Sequence, residues 1–227
     1  MEILANENSW LQYADAIGDK NPIHRSAKAA KGFGLEGVVA PGMWLASHAQ
    51  RDGEFVRANF GFRLPVYKDT MVEMTVNGSA YSFSNGKTVA DGNAIRSEYP
   101  EAPDVKHNFD FVYSAQITNN LVKQFLKSIG AERVGTEGLT EIPSAFLMSM
   151  SAPALLKFGE DSNCIKVHGF QTFIQYRRAI MGDIDVELKV IKSGSRGLKL
   201  NNYWLQEGKL IASGNSMILT YKQPTLP

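Results

Sequence analysis

An eight-residue pattern occurs twice in this chain and restricts the architectures open to it. Gly-Lys-x-x-Ala-x-Gly-Asn stands at residues 86–93 and again at residues 208–215, an offset of 122 residues. Three earlier pairs of segments match more loosely and in the same order: 10–18 with 122–130, 39–47 with 141–149, and 69–76 with 183–190. Such ordered self-similarity indicates a tandem duplication. We therefore predict two copies of one unit, residues 1–101 and 102–227, joined near residues 100–104.

The first copy has the pattern of a short strand, two helices and then several strands. Asn8 or Ser9 can cap a first helix that ends at Gly18, since Asn and Ser favour the N-cap and Gly the C-terminal end. Pro41 precedes an apolar run that is typical of a second helix. Residues 71–76 then alternate between two faces, as a strand does. The copy thus mixes helices with antiparallel strands.

Strand patterns continue through the rest of both copies. Residues 84–87, Ser-Asn-Gly-Lys, have the composition of a hairpin turn. In the second copy, residues 184–190 alternate between apolar and charged side chains, and residues 192–197 are typical of a turn. Residues 198–204 and 209–221 are typical of two more strands. We expect an α+β fold in which each copy wraps an antiparallel sheet around a helix, with the two sheets joined as an internal pseudo-dimer.

Composition limits the cellular compartments and the classes of binding partner that can be expected. Net charge is +1 over 227 residues, so no general electrostatic attraction to nucleic acid or anionic membrane is expected. No apolar run approaches the roughly 18 residues that a transmembrane helix needs, and no signal-peptide pattern is present at the N-terminus. Cys164 is the single cysteine, which excludes an intrachain disulfide and fits a reducing compartment. We expect a cytoplasmic protein.

One stretch of the first copy combines an acid, a base and a backbone donor. Residues 18–24 read Gly-Asp-Lys-Asn-Pro-Ile-His, which places Asp19 and His24 five residues apart around an Asn-Pro turn. Gly42 then opens the apolar helix, where a free backbone N–H can donate to a carbonyl oxygen. A carboxylate and an imidazole in one loop can transfer protons together. The same residues could also form a turn with no further role.

This stretch resembles the motif of the MaoC-like family of (R)-specific enoyl-thioester hydratases and dehydratases. The family motif reads G-D-x-N-P-[IL]-H, then A-x-x-x-G-F, then H-G-M. Here residues 18–24 are followed by Ala29-Ala30, by Gly32-Phe33 and by Ala40-Pro41-Gly42-Met43. The family fold is the hot dog, a sheet wrapped around a long helix. The resemblance therefore implies a double hot-dog arrangement for the duplicated chain.

The resemblance also implies roles for individual residues. Asp19 and His24 would hold a water and transfer protons as water adds to, or leaves, a 2-enoyl or 3-hydroxyacyl thioester. Gly42 would donate its N–H to the thioester carbonyl, an interaction that can contribute about 3 kcal/mol. Asn21 and Met43 would belong to the substrate-binding part of the site, with Asn21 also forming the turn. No cofactor is implied beyond the carrier thiol of coenzyme A or acyl carrier protein.

The sequence departs from the family pattern in three ways. Pro41 stands where the family often has His, and the motif lies in the N-terminal copy rather than the C-terminal one. The second copy lacks the motif: no Asp, Asn-Pro or His follows Gly130, and Ser144 replaces Gly42. We expect one active site per chain, with the second copy supporting the acyl pocket. An acyl-CoA thioesterase and a non-catalytic acyl-thioester-binding module remain alternatives, as does further pairing into a homodimer.

The remaining reactive residues are predicted to be structural. His48 is expected to pack against the helix, and His107 and His168 lie near strand starts without an acidic partner. The four histidines and Cys164 show no metal-ligand spacing, so neither a metal nor a reactive thiol is expected. Residues 177–178, Arg-Arg, are interpreted as an exposed pair, with binding of a coenzyme A phosphate or of an acidic carrier-protein face as the alternative. The Met and aromatic residues at 43, 44, 146, 148 and 150 are expected to be mostly core.

Overall fold

The computed structural model describes residues 1–105, 108–131, 139–158, 164–194 and 197–222. For residues 164–165 and 221–222 it describes the backbone alone. The interpretation of His107 and that of the Cys164 thiol therefore lie outside the described part of the chain.

Within the described part of the chain, ten antiparallel strands form one continuous sheet, as the duplication predicts. The strands are β1 Glu2–Leu4, β2 Arg57–Phe62, β3 Met71–Asn77, β4 Ala80–Ser84, β5 Thr88–Ile95, β6 Phe111–Ile117, β7 Cys164–Gln175, β8 Gly182–Gly194, β9 Gly197–Gln206 and β10 Lys209–Lys222. Their order across the sheet is β1-β3-β4-β5-β2-β7-β10-β9-β8-β6. Matching the copies strand by strand, β1 with β6 through β5 with β10, makes this order the same from either end. The sheet is thus a pseudo-dimer of two five-stranded halves.

In the described ranges, six α-helices lie between the strands. They are α1 Glu7–Ile17, α2 Ala27–Gly32, α3 Gly42–Ser47, α4 Asn119–Ser128, α5 Ser144–Ser149 and α6 Ser151–Phe158, with 3₁₀ turns at Pro22–His24 and His48–Asp52. Between β5 and β6 run residues 96–110, and the predicted boundary between residues 101 and 102 stays a prediction. No helix in the described ranges is long and apolar enough to cross a membrane.

The start of α1 corrects the predicted cap. Asn6, rather than Asn8 or Ser9, is the N-cap, and its side-chain oxygen accepts a hydrogen bond from the N–H of Asn8 at 2.8 Å. The helix therefore begins before both predicted caps. Its end is as predicted, because Gly18 adopts a left-handed φ of 79° that suits glycine.

The central helices of the two copies are equivalent. Pro41 is the N-cap of α3 and Pro143 that of α5, and neither helix is capped by a side chain at this position. Every residue of α3 from Met43 to Ser47 is buried, and the chain then continues as a 3₁₀ turn to Asp52. The predicted apolar helix is confirmed, although its last part is 3₁₀ rather than α.

Strand patterns match the structure with one correction. Val72 and Met74 are buried on one side of β3, and Ile184, Val186 and Leu188 are buried on one side of β8. The predicted hairpin turn follows β4 and precedes β5. The turn predicted from residue 192 is wrong in its start, since β8 continues to Gly194 and residues 192–194 pair with β9.

The two copies share one core and cannot be separated without exposing it. Strands β2 and β7 pair from Arg57–Ile174 to Gly61–Phe170 at the centre of the sheet. Behind them, the side-chain oxygens of Ser47 and Ser149, at equivalent positions of α3 and α5, lie 3.2 Å apart. The largest buried side chains come from both copies and belong to one cluster: Trp10, Trp44, Phe60, Phe83, Phe125, Phe146, Phe173 and Trp204.

Candidate functional site

Asp19 and His24 are held in one loop at the end of α1. The left-handed Gly18 turns the chain, and the N–H of Asp19 then donates to the carbonyl of Ala14 at 2.7 Å. The 3₁₀ turn Pro22–His24 follows, and His24 is its last residue. The indole Nε1 of Trp10 donates to the backbone carbonyl of His24 at 3.1 Å, which fixes the loop to the core.

The two side chains face each other with a defined histidine tautomer. His24 Nε2 lies 3.9 Å from Asp19 Oδ2, and both side chains are buried. His24 Nδ1 lies 2.8 Å from the carbonyl oxygen of Val39. Because a carbonyl oxygen can only accept, Nδ1 carries the hydrogen and Nε2 of the neutral ring is free to accept a proton. The pair therefore has the geometry of a general base beside a carboxylate.

Burial sets the charge of the base. Desolvation lowers the pKa of His24 below its usual 6.5, and this effect outweighs the opposing influence of Asp19 and of the hydrogen bond to Val39. His24 is consequently neutral at pH 7, the state in which Nε2 can accept a proton.

Asn21 fixes the acidic loop to the second copy. Its backbone N–H donates to Asp19 Oδ1 at 2.9 Å. Its side-chain oxygen accepts from the N–H of Ile23 at 3.4 Å, and its Nδ2 donates to the carbonyl of Lys166 in β7 at 3.2 Å. These bonds demonstrate the turn-forming role; although Asn21 also borders the cavity, its role in binding substrate stays a prediction.

Replacing Asn21 by alanine removes two of these three hydrogen bonds. We expect Asn21→Ala to lower the free energy of unfolding by about 1–2 kcal/mol, because one bond caps the turn and the other joins the copies. Urea denaturation followed by circular dichroism measures this change. Asn8→Ala is the matched control: Asn8 is exposed within α1, so stability should stay within about 0.5 kcal/mol. Equal stability of the two variants would show that the Asn21 side chain does not stabilise the loop against the second copy.

The structure brings Gly42 and Met43 to the same cavity as Asp19 and His24. Gly42 is the first residue of α3, and within the described residues its N–H has no hydrogen-bond partner. A Cβ at this position would lie 2.7 Å from the Phe62 ring, so only glycine fits without moving that ring. The open N–H at a helix start can polarise a carbonyl oxygen placed in the cavity.

Both copies build the cavity, which encloses about 1120 Å³ of empty space including its open mouth. Asp19, His24 and Gly42 line it together with Arg63, Lys166 and His168, and most of the other lining side chains are apolar. The apolar lining comes from α3, β2, β5 and the segment between β2 and β3 in the first copy and from α6, β7 and β10 in the second: Leu45, Phe62, Leu64, Val66, Val89, Ala152, Leu155, Leu156, Val167, Ile218 and Leu219. A largely apolar pocket with a few polar groups suits an acyl group with a reactive polar head.

The corresponding helix start in the second copy is occupied by the protein itself. The carboxylate of Glu54 accepts from the N–H of Ser144 at 2.8 Å and from its hydroxyl. The N–H of Ala145 donates to Gln50 Oε1 at 3.1 Å, and Gln50 Nε2 in turn donates to Glu54 at 2.6 Å. Internal side chains therefore satisfy the donors that are open at Gly42. The expectation of a single site per chain, which comes from the missing motif in the second copy, agrees with this difference and stays a prediction.

Two of the other sequence interpretations are confirmed. His48 is buried, with Nδ1 2.9 Å from the Trp44 carbonyl, and burial lowers its pKa to about 4. Arg177 and Arg178 are exposed outside the cavity, and Arg178 pairs with Glu141 at 2.6 Å. His168, interpreted as structural, borders the cavity together with His24. A search of the described residues finds no group of three His, Cys, Asp or Glu side chains placed to hold a metal.

Comparison with known structures defines the fold class. A protein described as a MaoC-like dehydratase is similar at a TM-score of 0.67 and 14% identity, over 97% of this chain and 96% of its own. A Mycobacterium tuberculosis protein described as having a double hot-dog fold is similar at a TM-score of 0.65 and 9% identity, over 97% and 94%. A Lactobacillus plantarum protein named as an oleoyl thioesterase reaches 0.54 at 9% identity, over 97% and 95%.

The chain is a double hot-dog protein, in which two sheet-and-helix units form a pseudo-dimer. The predicted fold class is thus confirmed, and so is the structural resemblance to MaoC-like dehydratases. No family model matches the chain, and no curated protein matches it. Because the identities are low and the likenesses include a named thioesterase, the reaction has to be argued from the site.

Proposed function

We propose that the chain is a hydratase or dehydratase acting on a 2-enoyl or 3-hydroxyacyl thioester carried by coenzyme A or acyl carrier protein. The observation that carries the proposal is that Asp19, His24 and Gly42, with its open N–H, line the same largely apolar cavity. A proton-transfer pair and an oxyanion donor in one cavity are the parts that water addition to an enoyl thioester requires.

In the dehydration direction, the neutral Nε2 of His24 takes the proton from the α-carbon. The C–H electron pair is delocalised onto the thioester oxygen and then forms the α,β double bond as the C–O bond at the β-carbon breaks. The proton then passes to the departing hydroxyl, which leaves as water, and His24 returns to its neutral form. Asp19 stabilises the transient imidazolium across the 3.9 Å gap and holds the water. Hydration is the reverse, and no cofactor beyond the carrier thiol takes part.

Gly42 stabilises the charge that this chemistry creates. Removal of the α-proton moves negative charge to the thioester oxygen, and the Gly42 N–H donates to that oxygen. The absence of a side chain lets the thioester approach the backbone beside Phe62. The apolar walls from both copies then bind the acyl chain.

The primary test is an assay with crotonyl-CoA and longer 2-enoyl-CoAs. Loss of enoyl absorbance with formation of the 3-hydroxyacyl product is expected. Release of free coenzyme A, detected with a thiol reagent, would instead identify a thioesterase. Tight binding of acyl-CoA without either product would identify a binding module, and both outcomes would overturn the proposal.

The lowered pKa of His24 predicts the acidic side of the pH profile. The neutral ring is the active form, so kcat/KM should be constant above pH 6.5 and fall about tenfold per pH unit once the pH drops below the lowered pKa. Steady-state rates from pH 4.5 to 8 measure this profile. A loss of activity with a midpoint above pH 6.5 would contradict it.

Folding must be monitored in the same pH series. The pKa values of His24, His48 and His168 are all lowered in the folded state. Below pH 6.5 the unfolded chain therefore binds protons first, and the free energy of unfolding falls as the pH falls. Circular dichroism at each pH separates this effect from titration of the base.

Two further expectations belong to the proposal. Acyl carrier protein is an alternative carrier to coenzyme A, and assays with both carriers distinguish them. A cytoplasmic location and pairing of the pseudo-dimer into a homodimer are also expected; fractionation and sedimentation velocity test them.

A further inference from the structure

A β-bulge turns His168 into the cavity. In the β7–β10 ladder, Met217 pairs with Phe170 and Ile218 pairs with His168, so Gly169 is an extra residue on β7. Phe170 borders a depression that it shares with Met217, whereas His168, two residues earlier, borders the catalytic cavity with Ile218. Residues two apart on a regular strand share a face, so the bulge is what sends these two side chains to different places.

The ring nitrogens of His168 have few hydrogen-bond partners in the protein. Its Nε2 lies 3.4 Å from the hydroxyl oxygen of Ser151, a long contact, and that hydroxyl also lies 3.0 Å from the carbonyl of Met148. Among the described residues, Nδ1 has no hydrogen-bond partner. The cavity lining includes the apolar residues Ala152, Leu155 and Ile218 as well as His24 and Lys166. An imidazole nitrogen without a protein partner can hydrogen-bond a molecule bound in the cavity.

His168 is neutral in the folded chain. Burial and the charge of His24 lower its pKa to about 4. His24 and His168 both line the same cavity. Ser151 is buried and does not border the cavity, so Ser151 and His168 do not form a nucleophile and base for substrate.

We propose that His168 is a specificity-determining residue, whose imidazole hydrogen-bonds an oxygen substituent of the acyl group. This inference rests on the proposed function, since it names the substrate class of the same site. A protein with this histidine prefers enoyl thioesters that carry the oxygen substituent. An unsubstituted alkyl group would leave the imidazole without a hydrogen-bond partner.

The kinetic test compares matched substrates. The substrates are 2-decenoyl-CoA and its analogues with a hydroxyl or keto group at C4, C5 or C6. We expect the wild type to favour at least one oxygenated analogue by about tenfold or more in kcat/KM. His168→Phe should reduce that ratio to about twofold or less, and His168→Asn, whose amide can replace Nδ1, should keep most of it. His48→Phe is the control, because burial likewise lowers the pKa of His48 to about 4 but His48 lies outside the cavity.

A binding measurement makes the inference independent of turnover. Calorimetry with saturated decanoyl-CoA and its hydroxylated analogues should show the same His168-dependent ratio of dissociation constants. Discriminating binding without hydration would overturn the proposed reaction and keep the inference. Three outcomes would overturn the inference. The wild type could hydrate oxygenated and plain substrates equally well, or His168→Phe could leave the ratio of their kcat/KM values unchanged. The two ligands could also bind equally well, or not at all.

Discussion

Asp19→Asn and His24→Ala are each expected to lower kcat/KM for hydration of crotonyl-CoA by about 10³-fold or more. General acid–base groups typically contribute about 10²–10⁴-fold, and these two act as one unit at 3.9 Å. His24→Ala removes the atom that accepts the proton, and Asp19→Asn removes the charge that stabilises the imidazolium. The double variant should therefore lose little more than either single variant, which steady-state kinetics can measure.

Two neighbouring residues provide matched controls for these variants. Asp15→Asn changes an exposed carboxylate that pairs with Arg25, and His48→Gln changes a buried histidine outside the cavity. Both should keep kcat/KM within about threefold of the wild type. Circular dichroism confirms that each variant is folded. Full activity in Asp19→Asn and His24→Ala would show that the pair does not perform the chemistry.

Gly42→Val is expected to lower kcat/KM by about 10²-fold. The new Cβ would lie 2.7 Å from the Phe62 ring, so the ring or the start of α3 must move. The N–H is still present, but the thioester oxygen can no longer approach it closely, and a displacement of about 1 Å can cost this much. Stopped-flow or steady-state assays with crotonyl-CoA measure the loss.

A double variant distinguishes crowding from other causes. If the clash with Phe62 is responsible, Gly42→Ala combined with Phe62→Ala should recover part of the activity that Gly42→Ala loses. Gly37→Ala is the control, because a Cβ at Gly37 meets no atom within 4 Å. A Gly42→Val variant with unchanged kinetics would exclude the close approach of substrate to this backbone.

The strand pattern and the loop that holds Asp19 and His24 were predictable because their signals are local or repeated. Alternation in β3 and β8 follows from a sheet with one buried face, and Gly18 marks a helix end because its left-handed φ suits glycine. The duplication supplied the long-range information, since two equivalent units suggest one continuous sheet. Asp19 and His24 could be placed together because only four residues, with an Asn-Pro turn among them, separate the two.

Features that depend on distant contacts were not predictable. His168 seemed to be an ordinary strand residue, since a bulge arises from the register between β7 and β10 and not from the composition of β7. Gly169 at the bulge is the only local signal that could have raised the question. Likewise, Ser144 in the place of Gly42 gave no sign that Glu54, 90 residues earlier, would bind its N–H.

The strength with which the Glu54 carboxylate competes for the start of α5 can be expressed as an effective concentration. A carboxylate tethered in the same folded chain competes for the Ser144 N–H at an effective concentration in the millimolar range or above. A free thioester at micromolar concentration would have to displace it while also separating the Gln50 contact. The second helix start is therefore already saturated by an intramolecular ligand, and adding more substrate cannot recruit it.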